Sequence, residues 1–206
     1  MKIDVLSRSL HDVGLAAWFG GTLANAVALN RAAGAAGDAQ STGAVANAGW
    51  AAWTPVNAAA IGAHLVGAVG QLVGNRSRLA TQQGVFTMSV VKTLVTAAAL
   101  GATGYSRALG RTVSSYPAVP AESGTEPTAG TPPEIADAQR KLAVLQWVIP
   151  ALTGTLLVVT SFAGEQQRSA SVLAGVRGRL QAGSDTSPAP SAARLGAVAA
   201  ALRTRG

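Results

Sequence analysis

Polar residues recur at a fixed interval inside apolar stretches of this chain. Trp50, Asn57, His64, Gln71 and Arg78 stand seven apart in a segment dominated by Ala, Gly, Val, Ile and Leu. Seven residues are nearly two helical turns, so these side chains form one stripe. From Ala51 to Gly74 there is no charge, and that length crosses roughly 30 Å of hydrocarbon. The same interval separates His11, Trp18 and Asn25 in the apolar run Leu10 to Leu29, and Gln146, Thr153, Thr160 and Gln167 further on. Ser89, Lys92, Thr96 and Thr103 share a face at three-and-four spacing. The pattern predicts four helices, near 10–29, 52–74, 85–106 and 142–163, each with one polar face turned toward the others.

The connections fix the expected topology. Asn30 to Gly49 reads as a loop with a short helical extension. Pro55 falls in the first turn of the second helix, where a missing N–H costs nothing. The short basic turn Asn75 to Gln83 forces an antiparallel hairpin. Tyr116 to Pro133 contains five prolines with Ser, Thr, Gly, Glu122 and Glu126, and predicts a flexible hydrophilic loop. Pro150 predicts a kink in the fourth helix. Val172, Leu173, Val176 and Leu180, with Arg177 and Arg179, predict a short amphipathic helix lying on a membrane surface, before a linker at Ser184 to Pro190. The fold class is therefore all-α: an integral membrane antiparallel four-helix bundle over 1–164 and a basic cytoplasmic tail over 165–206. The first apolar run has spanning length and no clean small-x-small cleavage site, so it reads as a retained helix.

Composition agrees with lipid as the solvent. Apolar residues make up 49% of the 206 and charged residues 12%. Cysteine is absent, which excludes disulfides, thiolate metal sites and cysteine nucleophiles. The net charge of +7 comes without a basic patch interleaved with aromatics, so nucleic acid is not an expected partner. With the N-terminus inside, ten Lys and Arg (Lys2, Arg8, Arg76, Arg78 and six in the tail) lie on the cytoplasmic side, against Arg31, Arg107, Arg111, Arg140 and Lys141 on the other. That balance places both termini in the cytoplasm and the Pro-rich loop outside. The expected location is the cell inner (plasma) membrane of a bacterium, multi-pass, with the lipid bilayer and other membrane proteins or a second copy as partners.

Candidate chemistry is confined to the polar faces: Asn57, His64, Gln71, Lys92, Asp12 and His11. A histidine within a span raises a ligand hypothesis, with haem and copper as the candidates. With helix one starting near Leu10, His11 lies at its cytoplasmic end and His64 about ten residues from that side, a vertical offset of roughly 15 Å. That offset argues against a shared haem and favours hydrogen bonding of His64 within the bundle. Lys92 either snorkels to the surface or pairs with Asp12, the carboxylate nearest its depth. Ala17 and Gly21, and Gly70 and Gly74, are small pairs that admit a close helix neighbour within the bundle. Trp50, Trp53 and Trp147 suggest an aromatic belt. No nucleotide-binding, zinc-protease or serine-hydrolase motif occurs, and no catalytic, cofactor-binding or metal-ligating residue is assigned.

The run Leu10-His11-Asp12-Val13-Gly14-Leu15-Ala16-Ala17-Trp18-Phe19-Gly20-Gly21 resembles the first helix of the copper-resistance CopD-like membrane proteins and of related uncharacterised four-helix bacterial families. Those begin with a similarly placed Leu-His and Trp-x-Gly-Gly. The resemblance implies a four-helix integral membrane unit and a link to copper. The expected function is a small non-enzymatic membrane protein, an accessory or structural subunit. The alternatives are a transporter or ion-handling protein using the polar stripe, and a haem or copper membrane protein.

Overall fold

The computed structural model describes residues 2–74, 76 and 83–185. Helix α1 (Lys2–Ala24) passes through a π-helical turn, Asn25–Leu29, into the short α2 (Asn30–Ala33). Helix α3 (Ala39–Gly74) and helix α4 (Gln83–Ser114) follow. Strands β1 (Ala121–Ser123) and β2 (Glu126–Pro127) pair antiparallel, with Ala121 opposite Pro127 and Ser123 opposite Glu126. Helix α5 covers Pro133–Asp185. Four helices are long and apolar enough to cross a membrane: Val5–Ala33, Ala39–Gly74, Phe86–Ser114 and Pro133–Gly164. The chain forms two compact units, 1–163 and 164–206. Asn75 and 77–82, and with them most of the basic turn and Arg78, lie outside the described residues, as do 186–206. In the second unit Leu173, Val176 and Arg177 are exposed; the other side chains of the expected amphipathic segment lie outside the described residues.

The helices are longer than the sequence pattern predicts. Helix α3 starts at Ala39, so Asn30 to Gly49 is mostly helical, and α5 starts at Pro133 rather than near 142. Pro55 consequently lies well inside α3 instead of in its first turn. Proline there removes one backbone hydrogen bond. Beside the break, the Thr54 hydroxyl donates to the Trp50 carbonyl at 2.8 Å. The expected flexible loop is an ordered hairpin segment in which Val119, Ala121, Thr125 and Thr131 are buried.

Glycines set the packing of α1 on α3. A Cβ on Gly14 would strike the Ala60 carbonyl and the His64 amide, both at 2.5 Å, and one on Gly67 would strike the His11 amide. Gly21 lies against the Trp53 ring and Gly70 against Ser7. Low numbers on α1 therefore meet high numbers on α3, an antiparallel crossing at backbone contact. Asn30 with Gln146, and Phe19 with Gly154, give α5 the direction of α3. Leu15, Trp18, Ala60, Ala99 and Leu156 form a core drawn from all four long helices. A second core, Val113, Val119, Ile135 and Ala138, joins the hairpin segment to the end of α4 and the start of α5.

Every described residue of the four polar stripes is buried or half-buried: His11, Trp18 and Asn25; Trp50, Asn57, His64 and Gln71; Ser89, Lys92, Thr96 and Thr103; Gln146, Thr153 and Thr160. The outward faces carry Val13, Val27, Val56, Val66, Val69, Leu94, Val158 and Phe162. Trp50 and Trp53 are half-buried, and among the three belt tryptophans only Trp147 is exposed.

Candidate functional site

A fully buried histidine pair lies where α1 crosses α3. His11 and His64 are each 1% exposed, and their ring centroids are 4.4 Å apart with planes tilted by 45°. The vertical offset expected between them is thereby corrected. It assumed that helix one begins near Leu10, whereas α1 begins at Lys2. The additional helical turns slide His11 along the crossing until it lies opposite His64, and Gly67 and Gly14 let the two backbones close on each other there.

Each imidazole is held by its Nδ1. His11 Nδ1 donates to Asp12 Oδ1 at 2.7 Å, an ion contact when the ring is protonated. His64 Nδ1 donates to the His11 backbone carbonyl at 3.3 Å. In the neutral rings this leaves Nε2 as the lone pair on both. His64 Nε2 is buried with no partner among the described residues, and so is the indole N–H of Trp18, whose ring lies 6.1 Å from that of His64.

Asp12 is therefore committed to His11, and of the two readings of Lys92 the ion pair with Asp12 is not formed among the described residues. The reason is proximity along the chain: the adjacent imidazole reaches the carboxylate first, while Lys92 projects from another helix. Lys92 is half-buried, and its charge acts through space on both histidines while it feels Asp12 and Arg8. Asn57 and Gln71 lie on the same face of α3 as His64, half-buried, with Asn57 Oδ1 buried and unpartnered among the described residues. The structure thus brings His11, His64 and Asp12 together, places Lys92 within electrostatic reach, and leaves Asn57 and Gln71 along the stripe.

The sequence pattern places Trp18 on the first polar stripe without setting it beside His64, and it takes Asn30 only as the start of a loop. Trp18 is fully buried beside His64, and Asn30 is a hydrogen-bonding hub. Asn30 Nδ2 donates to Gln146 Oε1 at 2.6 Å, Asn30 Oδ1 accepts from Trp50 Nε1 at 3.1 Å, and Gly124 N donates to the Asn30 carbonyl at 3.4 Å. Gln146 Nε2 continues the network to Thr125 Oγ1. In the π-turn the Asn30 amide bonds the Asn25 carbonyl, and the extra residue so inserted rotates Asn30 inward. The readable signal for the histidine pair is the set Gly14, Gly21, Gly67 and Gly70, which dictates the antiparallel register.

A bis-histidine haem does not fit this geometry. Two axial imidazoles on one iron stand on opposite sides of it, with centroids roughly 6 Å apart at metal–nitrogen bonds of about 2 Å. Here they are 4.4 Å apart. Among the described residues no group of three or more His, Cys, Asp or Glu could hold a metal ion. No family model, curated protein or solved structure matches the chain, so the resemblance of its first helix establishes no family membership.

Proposed function

We propose that the chain is a multi-pass plasma-membrane protein whose four long helices cross the bilayer as an antiparallel bundle, with both termini in the cytoplasm and the hairpin outside, serving as a non-enzymatic accessory or structural subunit. The observation carrying this reading is the inverted polarity of the helices: valine, leucine and phenylalanine point outward, while the polar stripes point in. In lipid that arrangement leaves polar groups to one another and apolar side chains to the solvent they match. The basic tail would lie against anionic headgroups of the inner leaflet. A structural role is favoured over a conduit because Leu15, Trp18, Ala99, Thr153 and Leu156, each at most 1% exposed, close the interior with a packed layer next to the histidine pair.

The absence of native cysteine makes a direct test available. A single cysteine replacing Thr128 in the hairpin is expected to react with a membrane-impermeant maleimide on intact cells, and one replacing Ser184 only after permeabilisation. The reverse pattern overturns the orientation, and protein found in the soluble fraction overturns the membrane reading. Purification in mild detergent is expected to retain a stoichiometric membrane partner; a chain that purifies alone argues against an accessory subunit.

Ion handling through the polar stripe is the second reading. It is favoured by the unpartnered His64 Nε2 and by the charges of Asp12 and Lys92 around it.

A further inference from the structure

We propose that His11 and His64 form a binding site for one divalent transition-metal cation, held through the Nε2 atoms of both rings. The site goes beyond the accessory role and stands whether or not a protein partner exists.

Three observations converge on it. First, both Nδ1 atoms are committed to fixed acceptors, the Asp12 carboxylate and the His11 backbone carbonyl. A carboxylate and a main-chain carbonyl are common outer-shell partners of metal-bound histidine, because they fix the tautomer and aim the opposite nitrogen. Second, neutral rings so held have lone pairs at both Nε2 atoms. Neither ring can donate to the other from Nε2, and His64 Nε2 is buried without a partner among the described residues. A buried lone pair that the protein leaves unmet needs an electrophile or a water.

Third, the spacing suits two ligands of one ion on adjacent sites. Bound through Nε2 at about 2 Å, an imidazole centroid stands roughly 3 Å from the metal. With both Nε2 atoms turned to one ion, a centroid separation of 4.4 Å would correspond to a ligand–metal–ligand angle of about 90°. That is a cis arrangement, found in square-planar and octahedral spheres and short of the tetrahedral angle. Imidazole suits zinc, nickel and their neighbours rather than calcium or magnesium, which seek oxygen. No third protein ligand joins among the described residues, so the remaining positions fall to water or an incoming group, which makes the site open. Asp12, with its side chain 47% exposed, connects the pair to the surface. Lys92 opposes binding by its charge and gives the test a distinctive arm.

The experiment uses the full chain in mild detergent, purified without a polyhistidine tag, with metal removed, and titrated calorimetrically with Zn2+ and then Ni2+. One ion per chain is expected. His11→Gln and His64→Gln abolish it, Asp12→Asn weakens it about tenfold by loosening His11, and Lys92→Met tightens it. Thermal unfolding of the wild type rises with added Zn2+, and that of His64→Gln does not. Absence of one-to-one binding by the wild type, or binding by His64→Gln equal to wild type, overturns the site; the first result would leave the lone pairs to protons and water. If a glutamine variant fails to fold, Asp12→Asn decides, since an unchanged affinity there removes the outer-shell argument and overturns the proposal.

Discussion

The two polar regions of the bundle use the same residue types and differ in whether those residues meet. At the hairpin end Asn30, Trp50, Gln146 and Thr125 form a connected network of direct hydrogen bonds, and Gln139 Oε1 is the buried atom there that stays outside it. Along the interior, Asn25 Nδ2, Trp53 Nε1, Asn57 Oδ1, Thr103 Oγ1 and Thr160 Oγ1 are buried with no partner among the described residues, as are Trp18 Nε1 and His64 Nε2 nearer the other end. The difference is one of backbone. At the hairpin end a π-turn and a β-turn move donors and acceptors off the regular helical lattice until they touch. Between straight helices the positions are dictated by the crossing, and side chains such as Asn57 and Thr160 are left without a facing partner among the described residues. An unmet buried polar atom costs about 1–3 kcal/mol unless a water or ligand satisfies it. The first region therefore fixes the structure, and the second carries a cost that a bound water or ligand would relieve.

The largest effect is expected from separating the helices that carry both regions. Gly67→Leu places side-chain atoms where the α1 backbone runs at His11 and Ser7. Backbone cannot yield as a flexible side chain can, so the loss should exceed about 3 kcal/mol, beyond ordinary overpacking. Gly62, with open space where its Cβ would stand, provides the control. The two leucine variants, compared by thermal unfolding in detergent, should differ widely. Equal stability would mean that the α1–α3 crossing is not at backbone contact, and the histidine pair would lose its basis.

The next effect tests the contrast itself. Asn30→Ala strands Trp50 Nε1 and Gln146 Oε1 in the interior. That loss should cost about 2 kcal/mol or more in unfolding free energy. Thr160→Val removes a hydroxyl that already lacks a partner among the described residues. It should be neutral or stabilising by up to about 1 kcal/mol. If Thr160→Val destabilises as much as Asn30→Ala, the interior atoms are satisfied by bound water, and the two regions differ only in what supplies the bonds.

The helices and their inward faces are legible in the sequence because period-seven stripes in apolar runs allow little else. The same reasoning fails where residues act against the repeat. Asn30 sits five past Asn25, off the seven-residue register, and only a π-turn brings it inward. The helical starts at Lys2, Ala39 and Pro133 lie outside the apolar runs; a cap from Asp38 holds the start at Ala39 and the second core holds the one at Pro133. Two of these helix starts bear directly on the interior. A late start for α1 displaces His11 from His64, and a late start for α3 makes Pro55 look harmless. Asp12 reads by charge as a partner for Lys92, while its neighbour in sequence holds the stronger claim.

The smallest effect lies at the start of α3, on the hairpin side of the comparison. Asp38 precedes the helix, and its Oδ1 accepts from the Ser41 amide at 2.9 Å while Oδ2 accepts from the Ser41 hydroxyl at 2.6 Å. The carboxylate thus caps two donors at the positive end of the helix dipole. The Ser41 hydroxyl first, then the Ser41 and Gln40 amides, hold its carboxyl below the usual carboxylate range. Because the folded value lies below the unfolded one, about 3.9, the cap contributes in full above that unfolded value and is lost as pH falls through the folded one. Amide exchange at Ser41 should therefore be protected evenly from neutral pH down to about 5 and should then lose protection, once corrected for intrinsic exchange, in the more acidic range. Asp38→Asn keeps an acceptor without a titrating group, so its corrected profile should be flat across the same range. An identical acid loss in the asparagine variant would assign the change to another group and leave the network around Asn30, which contains no carboxylate, as the pH-independent anchor of this end.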